Sequence, residues 1–136
     1  MLLHRCLGGL LLGLLVALSL SAKAQRMHQI AKGVWGGPHI SMQVGPRSAT
    51  IEYDCATGVI NGPLVVDSKG DFKLHGTHHR QHGGPVRADE DESGQPATFT
   101  GTIKGNVMTL NLKLDNAEVE TFSLEHGNEG EVFKCR

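Results

Sequence analysis

The sequence predicts an all-β domain: a small antiparallel up-and-down barrel of about eight strands. Three observations carry that expectation. Past residue 25 no segment keeps a helical period. Short runs instead alternate apolar and polar residues, the pattern of a strand with one buried and one solvated face. The runs are joined by brief turns rich in Gly, Asn and Asp, with few connections of crossover length. An open two-sheet sandwich is the alternative.

Taken in order, the chain opens on a segment to be set aside. "MLLHR" is short and basic, "LGGLLLGLLVALSL" is apolar, and Ala22 and Ala24 offer small residues around a cleavable bond. This is the three-part pattern of a secretory signal peptide over residues 1–24. The apolar run falls short of the ~20 residues a membrane span needs. Cys6 precedes that run, so it is not placed to become a lipid-modified N-terminus. The expected mature chain, 25–136, is about 112 residues, enough for one domain around one core. It is read as an exported monomer, periplasmic or secreted, with no membrane insertion after cleavage. Once Arg5 and Lys23 are removed, eleven Lys and Arg face fourteen Asp and Glu, a charge near −3. A mildly acidic surface without a basic stripe argues against nucleic acid as a partner.

The strands follow. "HISMQV" sets Ile40, Met42 and Val44 on one side, and "SATIEYDC" does so with Ala49, Ile51, Tyr53 and Cys55. "DFKLHGTH" pairs Phe72 with Leu74, and "TFTGTI" aligns Phe99, Gly101 and Ile103. "VMTLNLKL" is the clearest run, with Met108, Leu110, Leu112 and Leu114 inward, and "ETFSLEH" adds Phe122 and Leu124. "VGPRS", "DSKGD", "KGN" and "LDNAE" read as the turns. Gly76 and Gly101, inside strands, mark places where a sheet curls over. The polar stretch Val86 to Pro96 reads as a long connector at one rim. Two cysteines remain after cleavage, Cys55 and Cys135. An even count in an oxidising compartment reads as one disulfide, closing a loop of roughly 80 residues. A pair of thiolate metal ligands is the other reading, disfavoured because the chain has no C-x-x-C.

"GVW", Gly33 to Trp35, at the start of the mature domain resembles the G-x-W that opens the first strand of lipocalins and related calycin barrels. The resemblance implies that Trp35 closes one end of the barrel under a basic residue from the last strand, a role open to Lys134 or Arg136. It also fits a disulfide that ties the C-terminus back to a mid-barrel strand. "EYDCATG" and "HGGP" are similar to segments of small secreted bacterial proteins, a likeness that carries no function.

The histidine run "HGTHHRQHGGP", His75 to Pro85, is the chemical singularity of the chain: four of its eight histidines lie there. Alternation continued from Phe72 and Leu74 points His78, Arg80 and His82 inward and His75, Thr77 and His79 outward. An inward His–Arg–His series near a barrel mouth is a polar constellation where pockets form. Same-face residues lie about 6.6–7 Å apart along a strand, so His78 and His82 share a metal only if the chain turns between them. His39, Asp54 and His126 could complete such a site by residue type alone, for Zn or Cu. The Arg80 guanidinium repels a cation and suits carboxylate or phosphate instead. No cofactor is expected on this reading. The bland account is a polar strand end that Gly83, Gly84 and Pro85 turn away.

"DEDESG" places Asp89, Asp91, Ser93 and Gly94 as at the start of an EF-hand loop. The twelfth position, however, is Thr100 where a Glu is required. No serine sits in a G-x-S-x-G elbow. Asp54 beside Cys55, with a histidine near in space, is a candidate acid–base pair that no sequence spacing supports. The expected function is therefore non-catalytic. The chain would hold a small molecule, anionic ones included, at the barrel mouth, lined by Trp35, Tyr53, His78, Arg80 and His82. A protein-interaction module or envelope inhibitor is the alternative, and a transition-metal-binding protein using the His75–His82 cluster is the second.

Overall fold

A computed structural model describes residues 23–90, 93–115 and 117–136, and in it the alternating runs become strands. In chain order they are β1 (His28–Gln29), β2 (Gly33–Gly37), β3 (Ile40–Val44), β4 (Ser48–Tyr53), β5 (Ala56–Asn61), β6 (Val65–Val66), β7 (Asp71–Arg80), β8 (Gln95–Lys104), β9 (Val107–Leu114) and β10 (Glu120–His126). Eight of them, all but β1 and β6, form a closed antiparallel barrel in which each pairs with its neighbour in the sequence of barrel strands. Closure is made by β10 on β2, with Glu125 opposite Gly36 and His126 opposite Trp35. That pairing decides for the barrel over the sandwich, because it leaves no open edge.

The inward row is the one the alternation marks. Ile40, Met42 and Val44, then Ala49, Ile51 and Tyr53, are buried along β3 and β4. Met108, Leu110 and Leu112 are buried along β9 and Phe99 along β8. Glycine permits the close backbone approach where the sheet is tightest. A Cβ at Gly76 would meet the Val59 carbonyl, and one at Gly101 the Thr109 carbonyl.

The two ends of the barrel differ. At the end where β2 begins, β1 pairs with β6 in a small second sheet, and the Ile30 N–H donates to the Leu64 carbonyl at 2.9 Å. Ile30, Leu64 and Val66 are buried in the same core cluster as Trp35, so this end is plugged. At the other rim lie the β2–β3 turn, the β4–β5 turn and the connector from Gln81 to Gly94. The C-terminal tail links the ends. It leaves β10 at the plugged end and passes over Gly36, where a Cβ would collide with the backbone of residues 128–130. It then bridges Pro38 through Glu131 and reaches the rim.

Two expectations change here. Cys55 does not continue the inward face of β4. It sits in the β4–β5 turn with φ 55°, because β4 ends at Tyr53 and the chain must reverse. The residue over Trp35 is neither Lys134 nor Arg136, since the tail carries both to the opposite rim. His126, the last residue of β10, takes the place: its ring lies 4.8 Å from that of Trp35, and its Nε2 lies 2.9 Å from the Lys32 carbonyl. The Trp35 indole N–H donates to the Ala31 carbonyl at 2.9 Å.

Candidate functional site

The rim is built around one turn. Asp54 and Cys55 between β4 and β5 receive the tail on one side and the connector on the other. The Phe133 N–H donates to Asp54 Oδ1 at 2.8 Å, and the Cys55 N–H donates to the Phe133 carbonyl at 3.3 Å. On the connector side the Gln81 N–H donates to the Cys55 carbonyl at 2.8 Å. Cys55 and Cys135 lie at disulfide distance, with their Cα atoms 4.9 Å apart, and are bonded. Such a pair suits an exported protein. Asp54 Oδ2 also holds His39 Nδ1 at 2.5 Å, at the exposed outer edge. The backbone N–H of Phe133, with His39 adding to it, holds the Asp54 carboxyl below its ordinary range against the opposing effect of burial.

Between the tail and the connector lies an open groove of about 890 Å³. Tyr53, Arg80 and His82 all line it, together with His79, Lys134 and Glu52. Its floor is the outer side of β5 and β7, with Thr57, Val59 and Thr77. Among the described residues neither Arg80 nor Lys134 has an ion-pair partner, which leaves two exposed cations at one groove.

His82 closes one wall. Its Nδ1 lies 2.8 Å from the Gly83 carbonyl, and its Nε2 lies 2.9 Å from the Glu90 carboxylate. An acceptor at each ring nitrogen favours the imidazolium, with both N–H groups donating. The Gly83 carbonyl, then Glu90, raise the His82 pKa, and His82 in turn lowers that of Glu90.

The five expected lining residues therefore separate. Tyr53, Arg80 and His82 meet at the groove. His78 lies behind Tyr53, inside the barrel and only 6% exposed, with ring centroids 5.4 Å apart. Trp35 is at the plugged end. The inward series His78–Arg80–His82 does not form, and the reason is pairing. Gln95 is the last β8 partner, opposite His78, and Ala56 is the last β5 partner, opposite Arg80. Beyond Arg80 no neighbouring strand holds the alternation, so Arg80 reaches into solvent and His82 turns outward.

The weak metal candidates are divided likewise: His78 inside, His82 engaged by Glu90, His39 engaged by Asp54. Among the described residues no group of three or more His, Cys, Asp or Glu is arranged to hold a metal ion. The EF-hand-like start includes Asp91, which lies outside the described residues. Its twelfth position, Thr100, is in mid-strand opposite Lys73 and Asn111. The signal peptide reading also falls on residues outside the description, 1–22. No helix among the described residues is long and apolar enough to cross a membrane.

Sequence reasoning missed four contributors. His79, outward on β7, lines the groove, and Lys134 reaches it on the tail. Following the Cys55–Cys135 link would have found Lys134, one residue from the bridge. Phe122 packs on Tyr53 with ring centroids 5.4 Å apart. Glu120, at the start of β10, acts electrostatically on both Tyr53 and His78. The chain matches no family model, no curated protein and no solved structure.

Proposed function

We propose that this is an exported, monomeric, non-catalytic binding protein of the calycin kind that holds a small anionic molecule in the rim groove. One observation carries the reading. Arg80 and Lys134, both without ion-pair partners among the described residues, line the same groove as Tyr53 and His82. A guanidinium offers a planar fork to a carboxylate or phosphate, and the exposed ammonium adds a second point of charge. The volume of about 890 Å³ falls in the range of small-molecule sites, about 300–1,000 Å³. The calycin assignment draws on the eight-strand meander and on the tryptophan of "GVW" at the plugged end beneath a last-strand side chain. Export draws on the basic–apolar–small start of the chain and on the paired cysteines.

The test is a thermal-shift titration of residues 25–136 with a panel of small carboxylates and phosphates. At least one should stabilise the wild type, and Arg80→Glu and Lys134→Glu should each weaken that effect about tenfold or more, since a charge-assisted hydrogen bond contributes about 1.5–3 kcal/mol. Equal responses in all three proteins would refute the reading.

A second reading, a protein-interaction module such as an envelope inhibitor, is favoured by the filled barrel. Trp35, Phe99, Met42, Met108 and Leu110 occupy the interior, each 1% exposed or less, and the groove lies outside it. On that reading, shortening the 83–94 connector removes partner binding and leaves the melting temperature unchanged.

A further inference from the structure

Two polar atoms on the barrel side of Tyr53 lack partners. The Tyr53 hydroxyl and His78 Nδ1 are both fully covered, and neither makes a hydrogen bond among the described residues. Their side chains are 5% and 6% exposed. Buried polar groups in folded proteins nearly always find partners, so two orphans side by side need an explanation. Simple core packing does not supply one, because Phe at 53 and Leu at 78 would fill the same space with no polar atom stranded.

The sequence builds the pair deliberately across three strands. Gly58 on β5 stands opposite Ile51 of β4 on one side and opposite His78 of β7 on the other. A Cβ at position 58 would lie 3.2 Å from the Tyr53 hydroxyl, so glycine is what lets the phenol lie over β5 towards His78. Phe122 also packs on the Tyr53 ring, with centroids 5.4 Å apart, and is only half-buried, so a ligand reaching the pair meets the rings of Tyr53 and Phe122.

We propose that Tyr53 and His78 form a two-point subsite for a neutral group that both accepts and donates a hydrogen bond, best matched by a carboxamide on an aromatic or apolar body. The Tyr53 O–H donates to the carbonyl, and His78 Nδ1 accepts from the amide N–H in the tautomer that carries its proton on Nε2. Burial favours the neutral imidazole this requires; Glu120 opposes it, while Arg80 and His79 reinforce it. The Glu120 carboxylate at the start of β10 disfavours an anion here, whereas Arg80 and Lys134 at the groove favour one. The subsite does not rest on the groove: anion binding tests the one and a neutral amide the other.

The probe is benzamide, with benzoate as its charged counterpart, read by the side-chain ¹⁵N resonances of His78 in protein labelled at histidine. Benzamide should move the Nδ1 resonance and benzoate should bind there at least tenfold more weakly; in a titration followed by backbone amide shifts of β5 and β7, Tyr53→Phe and His78→Leu should each cost benzamide at least tenfold in affinity. Both variants should melt no lower than the wild type, because each removes a stranded polar atom, so lost binding would not reflect lost folding. The proposal is overturned if benzamide leaves His78 unmoved, as when an ordered water alone serves the pair. It is equally overturned if benzoate binds as well, or if the variants bind benzamide like the wild type.

Discussion

The Asp54 carboxylate accepts the backbone N–H of Phe133 at 2.8 Å, across 79 residues of sequence. That one bond joins the β4–β5 turn to the C-terminal tail, beside the disulfide that joins them covalently. Asp54 is only partly buried, and its pKa is lowered by this bond and by His39. A carboxylate depressed in the folded state stabilises the fold above its unfolded pKa, about 3.9, and loses that contribution as pH falls through the folded value. Asp54→Asn should therefore lower the melting temperature at pH 7, and the gap between variant and wild type should narrow as pH falls below the unfolded value. A gap as wide at pH 2 as at pH 7 would contradict this account of Asp54.

The disulfide gives the second expectation. Cys55 and Cys135 are 80 residues apart, and closing such a loop stabilises the fold by about 4–5 kcal/mol in the chain-entropy model. Cys55→Ser with Cys135→Ser should lose roughly that much in denaturant unfolding. The loss should be accompanied by faster amide exchange at Phe133 and Gln81, whose backbones bond to the Cys55 turn. Alkylation of both cysteines in native exported protein would contradict the bridge itself.

His82 titrates the other way. Its folded pKa is raised, so the clasp with Glu90 is fully present below the unfolded value, about 6.5, and is lost as pH rises through the folded one. The His82 ring-proton titration should have its midpoint above 6.5, and Glu90→Gln should lower that midpoint. Backbone protection in the 82–90 stretch should be greater at pH 6 than at pH 9. The reverse order would contradict the clasp.

At the plugged end, His126→Ala should uncover the only tryptophan. Trp35 is 1% exposed beneath the His126 ring, and an aromatic pair of this kind contributes about 0.5–1.5 kcal/mol beyond its burial. A modest stability loss of that size, with Trp35 fluorescence shifted to the red, is expected. Lys134→Ala should leave Trp35 emission unchanged, since the tail places Lys134 at the opposite rim.

What was legible in the sequence was the inward row of the long strands. Met108, Leu110 and Leu112 alternate cleanly because β8 and β10 pair with β9 along most of its length. Strand β5 was not legible, because its inward residues are Ala56, Gly58 and Ile60 while Val59 faces out, so apolar and polar no longer mark the faces. Gly58 is small because Tyr53 lies across it, a tertiary fact. Parity placed His78 correctly and failed at His82, where β7 runs out of neighbours. The residue over Trp35 was misassigned because the tail "GNEGEVFKCR" has no strand period to show which end of the barrel it serves.

The central claim is that the rim groove holds a small anion through Arg80 and Lys134. Native mass spectrometry of the protein from its own exported compartment, without a tag or chelator, tests it most directly, with Arg80→Glu prepared in parallel. The account predicts an added mass that acid denaturation releases as an acidic organic molecule and that Arg80→Glu lacks. The same added mass on both proteins, or a bare chain in the wild type, would contradict it.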